Sequence, residues 1–197
     1  MAQRYIEEIR RVQPAGPYRI GGYSFGGVVA YEMAQMLEAQ GESVALLALF
    51  DAYPGKEESR GEKLKQVLTL PLKERVSFIL KKGSFVVMTL RKRIELQFLP
   101  RALRNVRQAC SKAAGDYDVR PYPGRVTLFR VREKSADSLN DPYAIWWRVA
   151  EGGVELREIN GDHLSLLKEP QVRFLAEELA DCLAHSVGEE SLAIAGR

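Results

Sequence analysis

The chain has 197 residues, of which 46% are hydrophobic and 28% are charged, and its formal net charge is +3 at pH 7. This ordinary globular composition excludes a collagen-like repeat, a coiled coil and a disordered tail. The longest apolar run, Val44–Phe50, is far shorter than the roughly 18 residues of a membrane helix. The charged N-terminus has no apolar segment, and two isolated cysteines suit neither a disulfide framework nor a metal site, so we expect a cytoplasmic protein.

The first third of the chain alternates helix and strand patterns. Ala2–Val12 is a short amphipathic helix pattern, and Tyr18–Gly22 is a short predicted strand. After Ser24, apolar residues recur at the spacing of one helical face: Ala30, Met33, Ala34 and Leu37. Gly41 follows as the expected left-handed residue that ends this helix. Val44–Phe50 is continuously apolar, as expected for a strand buried on both faces.

A long stretch, residues 56–118, then separates the second strand from the third. Its pattern predicts four helices: Lys63–Leu68, Leu72–Lys82, Ser84–Phe98 and Arg101–Ala114. Its charge is uneven, because Lys63–Lys112 holds thirteen Lys and Arg against two acids, Glu74 and Glu95. We interpret the stretch as a helical lid that faces a negatively charged partner, or as a solvated basic face.

The last part of the chain returns to alternation. Arg125–Val131 and Val154–Ile159 are predicted strands, and a helix opens at Pro170. Its predicted apolar stripe is Val172, Leu175, Leu179 and Leu183. Strands that alternate with helices predict an α/β fold with a mostly parallel sheet, helices on both faces and residues 56–118 as an insertion into one domain of residues 1–197.

The segment Gly22-Tyr23-Ser24-Phe25-Gly26 matches G-x-S-x-G, the turn that exposes a nucleophilic serine between a strand and a helix. The structural alternative is a glycine-rich turn that only packs the helix on the sheet. In the motif, the small residues two before and two after the serine let the backbone pass closely. The amide of Phe25 would then be one donor to an oxyanion.

A serine nucleophile needs a base and an orienting acid. Of two histidines, His163 follows the last strand, whereas His185 lies near the end of the final helix and is expected to be solvated. Asp51 directly follows the buried strand and should emerge at the same sheet edge as Ser24. Its rivals are Asp137 and Asp141 after the third strand. Asp162 is expected to be a turn residue, and Asp51 has the structural alternative of capping a turn.

These motifs together resemble the thioesterase domains that end polyketide synthases and nonribosomal peptide synthetases. The resemblance rests on four segments: Gly21–Gly27 with Ala30–Ala34, Leu49–Ala52, Tyr122–Arg130 and Gly161–Leu167 with Pro170. It implies an α/β-hydrolase fold with Ser24 as nucleophile, Asp51 as acid and His163 as base. It implies no bound cofactor, because the acyl thioester substrate is carried on the phosphopantetheine arm of an acyl or peptidyl carrier domain.

Domains of this family begin with several strands before the nucleophile strand, where this chain has one helix. We therefore expect an N-terminally truncated domain that lacks one oxyanion donor and exposes the edge of Tyr18–Gly22, through which the chain would self-associate. Two other functions stay open, a general carboxylesterase and a catalytically silent interaction module. Nucleic-acid binding is disfavoured because the basic stretch has few aromatic residues and no recognised module. No membrane partner is expected.

Overall fold

A computed structural model describes residues 1–54, 101–132 and 141–195. The chain divides into two compact units, one of residues 1–54 and 117–197 and one of residues 55–116. The three helices predicted before residue 101, and Asp137, lie outside the described residues. Within the described ranges, no helix combines the length and the apolar character needed to cross a membrane.

The first unit alternates strands and helices as predicted. Its elements in chain order are α1 (Ala2–Val12), β1 (Tyr18–Tyr23), α2 (Phe25–Ala39), β2 (Val44–Phe50), β3 (Val126–Arg132), α4 (Ala144–Val149), β4 (Val154–Asn160) and α5 (Gln171–Ala195). The second unit contributes α3 (Arg101–Asp116). The ends of all four predicted strands are confirmed to within one residue.

The four strands form a fully parallel sheet in the order β1-β2-β3-β4. Tyr23 pairs with Phe50, Phe50 with Phe129, and Phe129 with Arg157, so the strands end close to one line. In a parallel sheet the carboxyl ends of all strands meet at one edge. The residues that follow β1, β2 and β4 are therefore brought to the same edge, which is the usual place for a site in this fold class.

The two faces of the sheet are both covered, which explains the continuous apolar character of β2. Leu47 and Leu49 point to the face that packs against α2 and α4. Leu46 and Ala48 point to the opposite face, which packs against α5. Successive side chains of a strand alternate between faces, so a strand covered on both sides needs apolar residues at every position.

The predicted apolar stripe of the last helix needs correction. In α5, Leu175 and Cys182 are buried and Leu179 packs beside them, whereas Leu183 is 37% exposed. The buried stripe therefore continues through Cys182 and not through Leu183.

The short helix α4 was not predicted, because its sequence AIWWRV is rich in the aromatic and β-branched residues that favour strands. Its Trp146 is fully buried and donates from Nε1 to the Ala52 carbonyl at 2.8 Å, so tertiary packing overrides the local preference.

The end of α2 is confirmed. Gly41 has φ +80°, the left-handed conformation that glycine adopts without strain. The Gly41 amide donates to Glu38 O at 2.9 Å and the Glu42 amide to Leu37 O at 3.0 Å. This pair of bonds is a Schellman motif, which stops the helix and turns the chain into β2.

Candidate active site

Ser24 lies on the sharp turn between β1 and α2. Its backbone has φ 55° and ψ −124°, which is a strained conformation for a residue with a side chain. The turn is anchored because the Ser24 amide donates to Phe50 O at 2.9 Å, one step beyond the end of β1. Although Ser24 precedes the first helical residue, its hydroxyl makes no capping bond to α2. The Ser24 hydroxyl is therefore not engaged in capping α2.

The glycines around Ser24 play unequal parts. A Cβ at Gly22 would lie 2.2 Å from the Gly26 carbonyl carbon and 2.5 Å from the Gly27 amide nitrogen. A Cβ at Gly27 would lie 2.3 Å from the Cβ of Ala52. At Gly26, however, no described atom outside its chain neighbours and the adjacent backbone of α2 comes within 4 Å of the added Cβ. The predicted close backbone passage is present between Gly22 and Gly26, but it excludes a side chain at Gly22 and not at Gly26, and Gly27 makes a second close approach.

Asp51 follows the last residue of β2 and, like Ser24, has a positive φ, 47°. Its amide donates to Phe129 O at 2.7 Å, and its side chain is 2% exposed. The carboxylate oxygen Oδ2 lies 2.6 Å from Nδ1 of His163. The other oxygen, Oδ1, accepts from the Val131 amide at 3.1 Å and from the Tyr143 hydroxyl at 2.5 Å. Both carboxylate oxygens thus have partners at this end of the sheet.

The ionisation of Asp51 follows from these contacts. Burial disfavours the charged form, but the hydrogen bonds from His163, Tyr143 and the Val131 amide outweigh it and hold the pKa of Asp51 below its usual value. The buried carboxylate is thus ionised at neutral pH. An anion beside Nδ1 favours the histidine tautomer with its proton on Nδ1 and the lone pair on Nε2.

His163 lies in the turn that follows β4. The Tyr23 ring stacks on the imidazole, with centroids 4.7 Å apart and planes at 20°. The Tyr23 hydroxyl donates to the backbone carbonyl of His163. Asp162 accepts from the amides of Leu164 at 2.8 Å and Ser165 at 3.1 Å, which confirms it as a turn residue. The imidazole is held by its neighbours while 36% of the side chain stays exposed.

The sequence-predicted residues divide into two groups. Asp51 and His163 are in direct contact, and Ser24 follows Tyr23, whose ring covers the imidazole. Within the described parts of the chain, no hydrogen bond joins the Ser24 hydroxyl to His163, and such bonds are often long without substrate. The amide of Phe25 is the first of α2, where helix amides point outward unpaired and the helix dipole favours an anion.

The rival residues have other partners. Asp141 pairs with Arg130 at 2.9 Å and accepts from the Tyr143 amide at 2.9 Å, so it is not directed at the histidine. His185 is exposed on α5, as expected, and its Nδ1 contacts Asp181 O at 2.7 Å. Among the residues described, no group of three His, Cys, Asp or Glu could hold a metal ion.

Two tyrosines at this site were missed by sequence reasoning. Tyr23 lies inside the G-x-S-x-G segment, so its position between the two glycines offered a signal. Tyr143 offered none, because its bond to Asp51 spans 92 positions of the chain. It belongs to the unpredicted segment that leads into α4.

Comparison with known proteins places the chain among thioesterases. The family model described as "Thioesterase domain" matches residues 1–183. Malpinin synthetase of Mortierella alpina is 65% identical over 51 residues, which are 26% of this chain and 1% of that protein. A dimodular nonribosomal peptide synthase of Bacillus subtilis (strain 168) is 56% identical over 54 residues, 27% of this chain and 2% of that protein. The matched segments are thus a very small part of these relatives.

Among solved structures, the NocB thioesterase domain in covalent complex with a fluorophosphonate nocardicin G analog is similar over nearly the whole chain. The alignment covers 95% of this chain and 73% of that one, with 27% identity and a TM-score of 0.62. The fold is therefore that of α/β-hydrolase thioesterases, as the resemblance implied.

Proposed function

The chain belongs to the thioesterase domain family, of the type found in nonribosomal peptide and polyketide synthases, and we propose that it is a serine hydrolase that releases an acyl or peptidyl chain from a carrier domain. The single observation that carries this proposal is the 2.6 Å contact of Asp51 with His163, at the sheet edge where the strained turn presents Ser24. An ionised, buried carboxylate that orients a histidine beside a strained serine is the arrangement of nucleophilic acyl transfer.

In the proposed first step, Ser24 Oγ attacks the thioester carbonyl carbon while its proton passes to His163 Nε2. The tetrahedral intermediate places its negative oxygen near the Phe25 amide. Its collapse breaks the carbon–sulfur bond, and the departing pantetheine thiolate takes the proton from His163 and becomes a thiol. The products are an acyl ester on Ser24 and the free thiol of the carrier.

In the second step, His163 accepts a proton from the incoming nucleophile and returns it to Ser24. Water would yield a free acid, and a hydroxyl or amine within the acyl chain would yield a ring. Asp51 holds the Nδ1–H tautomer in both steps, which leaves Nε2 free to accept each proton. The chemistry needs no bound cofactor, because the phosphopantetheine arm belongs to the substrate.

We propose an acidic carrier domain as the partner of the basic segment Lys63–Lys112, most of which lies outside the described residues. Charge reversal at Arg91, Lys92 and Arg93 should raise KM for a carrier-bound thioester and leave a small pantetheine thioester almost unaffected. High salt should shrink the difference, because screening weakens attraction between exposed charges. Equal losses on both substrates would assign the segment to folding of the lid instead.

We propose a second contact at the outer edge of β1. In the described residues β1 pairs only with β2. The Ser24 amide bonds toward β2, and strand amides alternate in direction, so the amides of Gly21 and Tyr23 face away from it. An open edge recruits a further strand, and a second copy of the chain would supply one. Sedimentation at several concentrations should reveal self-association, and a monomer at all concentrations would contradict this contact.

A fluorophosphonate probe tests the proposed function directly. Wild-type protein should be labelled and should cleave an acyl-pantetheine thioester faster than the matching oxygen ester. Ser24→Ala should lose both properties while keeping its melting temperature within a few degrees. The control Ser43→Ala removes an exposed hydroxyl just before β2, at the other end of the sheet, and should keep both. Labelling of Ser24→Ala would overturn the assignment, and a preference for the oxygen ester would indicate a general carboxylesterase.

A further inference from the structure

Two donors fix one oxygen of the Asp51 carboxylate. The Val131 amide, at 3.1 Å, is part of β3 and cannot be varied by a side-chain change. The Tyr143 hydroxyl, at 2.5 Å, is the shorter contact and comes from the turn that precedes α4. With Oδ1 held from two sides, the plane of the carboxylate is set and Oδ2 points at His163.

Tyr143 is itself held in place by several groups. Its side chain is nearly buried, and the guanidinium of Arg130 lies 5.3 Å from the ring centroid. Asp141 binds both Arg130 and the Tyr143 amide, each at 2.9 Å. The Tyr53 ring meets the Tyr143 ring edge-on at 5.3 Å. The phenol is therefore fixed in direction before it reaches the carboxylate.

We propose that Tyr143 is a positioning residue for acyl transfer, which holds the Asp51 carboxylate in the orientation that sets the His163 tautomer. This rests on the proposed function of Ser24, Asp51 and His163. Tyr143 contacts the acid from the loop after β3, where two rival carboxylates, Asp137 and Asp141, occur in the sequence. That loop thus contributes a hydrogen-bond donor to an acid that directly follows the neighbouring strand, β2.

Tyr143 should also affect the pH dependence of acyl transfer. The active pair, a carboxylate with a neutral imidazole, carries one negative charge, and binding of a proton neutralises it. A donor to Oδ1 stabilises the charged pair, so its loss should favour proton uptake and move the acid limb of kcat/KM to higher pH. The ionisable groups that face the carboxylate are His163, Tyr143 and Tyr23, and those around the phenol are Arg130, Asp141 and Tyr53.

The test compares Tyr143→Phe with Tyr31→Phe in the full chain. Both changes remove one buried hydroxyl, but the Tyr31 hydroxyl donates to Arg120 O at 2.8 Å and not to a residue of the proposed triad. Tyr143→Phe should lower kcat about ten- to a hundredfold, the scale for one hydrogen bond to a buried charge, and should raise the acid limb by up to about one pH unit. Tyr31→Phe should change stability without moving the limb.

A second variant keeps the test decisive if Tyr143→Phe folds poorly. Fluorotyrosine placed at position 143 keeps the ring and is a stronger donor, so it should move the acid limb to lower pH. An unmoved limb in both variants, or equal effects of Tyr143→Phe and Tyr31→Phe, would overturn the proposal. Fluorophosphonate labelling of Ser24→Ala would instead refute the proposed function, so the two failures are distinguishable.

Discussion

Gly22 and Gly26 are equivalent in the G-x-S-x-G motif, but the structure leaves no room for a side chain at Gly22 and leaves room for one at Gly26. A Cβ at Gly22 would lie 2.2 Å from the carbonyl carbon and oxygen of Gly26 and 2.5 Å from the Gly27 nitrogen. All three atoms belong to the backbone of the first turn of α2, so no side chain can move aside. Relief requires that α2 shift away from β1, which would open the packing between them.

We therefore expect Gly22→Ala to cost at least about 3 kcal/mol, the upper part of the range for overpacking. For a domain of this size each kcal/mol lowers Tm by about 2–4 °C, so the melting temperature should fall by roughly 6–12 °C. Gly26→Ala is the matched control. Outside its chain neighbours and the adjacent backbone of α2, no described atom lies within 4 Å of its added Cβ. Since alanine favours a helix, the free energy of unfolding should stay level or rise by up to about 1 kcal/mol.

Thermal and urea unfolding of both variants, together with fluorophosphonate labelling, provide the measurement. Gly22→Ala should lose labelling along with stability, because a displaced α2 also displaces the Ser24 turn and the Phe25 amide. Equal destabilisation by the two substitutions would refute the argument from close approach. So would a Gly22→Ala variant that melts like the wild type.

Two further predictions concern Asp51. Asp51→Asn should lower turnover by a factor of about 10⁴, the scale for loss of the orienting carboxylate. Asp141→Asn should lower turnover no more than about tenfold in the same steady-state assay. The reverse order would assign the acid to the loop after β3. Although burial opposes them, hydrogen bonds hold the folded pKa of Asp51 below its ordinary value. Its ionisation therefore stabilises the fold fully above that ordinary value, and the contribution is lost as pH falls through the folded pKa. Urea unfolding between pH 6 and 3 should therefore show a larger loss of stability in wild type than in Asp51→Asn, and parallel curves would contradict the shift.

Most strands and helices of the first unit could be predicted because they depend on local sequence patterns. The strands are bounded by Gly, Pro and polar residues, and β2 carries apolar residues on both faces, so their ends could be predicted to within one residue. The placement of Asp51 and His163 at one edge followed from the parallel topology alone. Their 2.6 Å contact is a consequence of that topology, although the sequence cannot give a distance.

The parts that were missed depend on contacts between distant segments. Helix α4 forms around Trp146, whose indole bonds to a carbonyl 94 positions earlier in the chain, against its local strand preference. Tyr143 likewise acquires its role only where it meets Asp51. The motif also does not distinguish Gly22, where a Cβ would meet backbone atoms, from Gly26, where it would not, because this depends on the direction in which each Cβ would point.

Ser24 and Asp51 both have a positive φ directly after a strand. Each residue bonds its amide to the neighbouring strand, Ser24 to Phe50 O at 2.9 Å and Asp51 to Phe129 O at 2.7 Å. The sheet thus holds the amide of each residue. The positive φ turns its side chain away from the direction that the alternating pattern of the strand would give it. Such a conformation costs roughly 1–3 kcal/mol for a residue with a Cβ and little for glycine.

Ser24→Gly should therefore be more stable than Ser24→Ala, by about 1–2 kcal/mol in urea unfolding, although neither variant should react with the probe. The matched pair at Ser43, which does not have a positive φ, should show the opposite order, because glycine there only adds freedom to the unfolded chain. The comparison separates strain from the loss of a hydroxyl, since both variants at each site lack it. If alanine equals glycine at position 24, the turn is not strained, and exposure of the serine must then come from the packing of Gly22 and Gly27 alone.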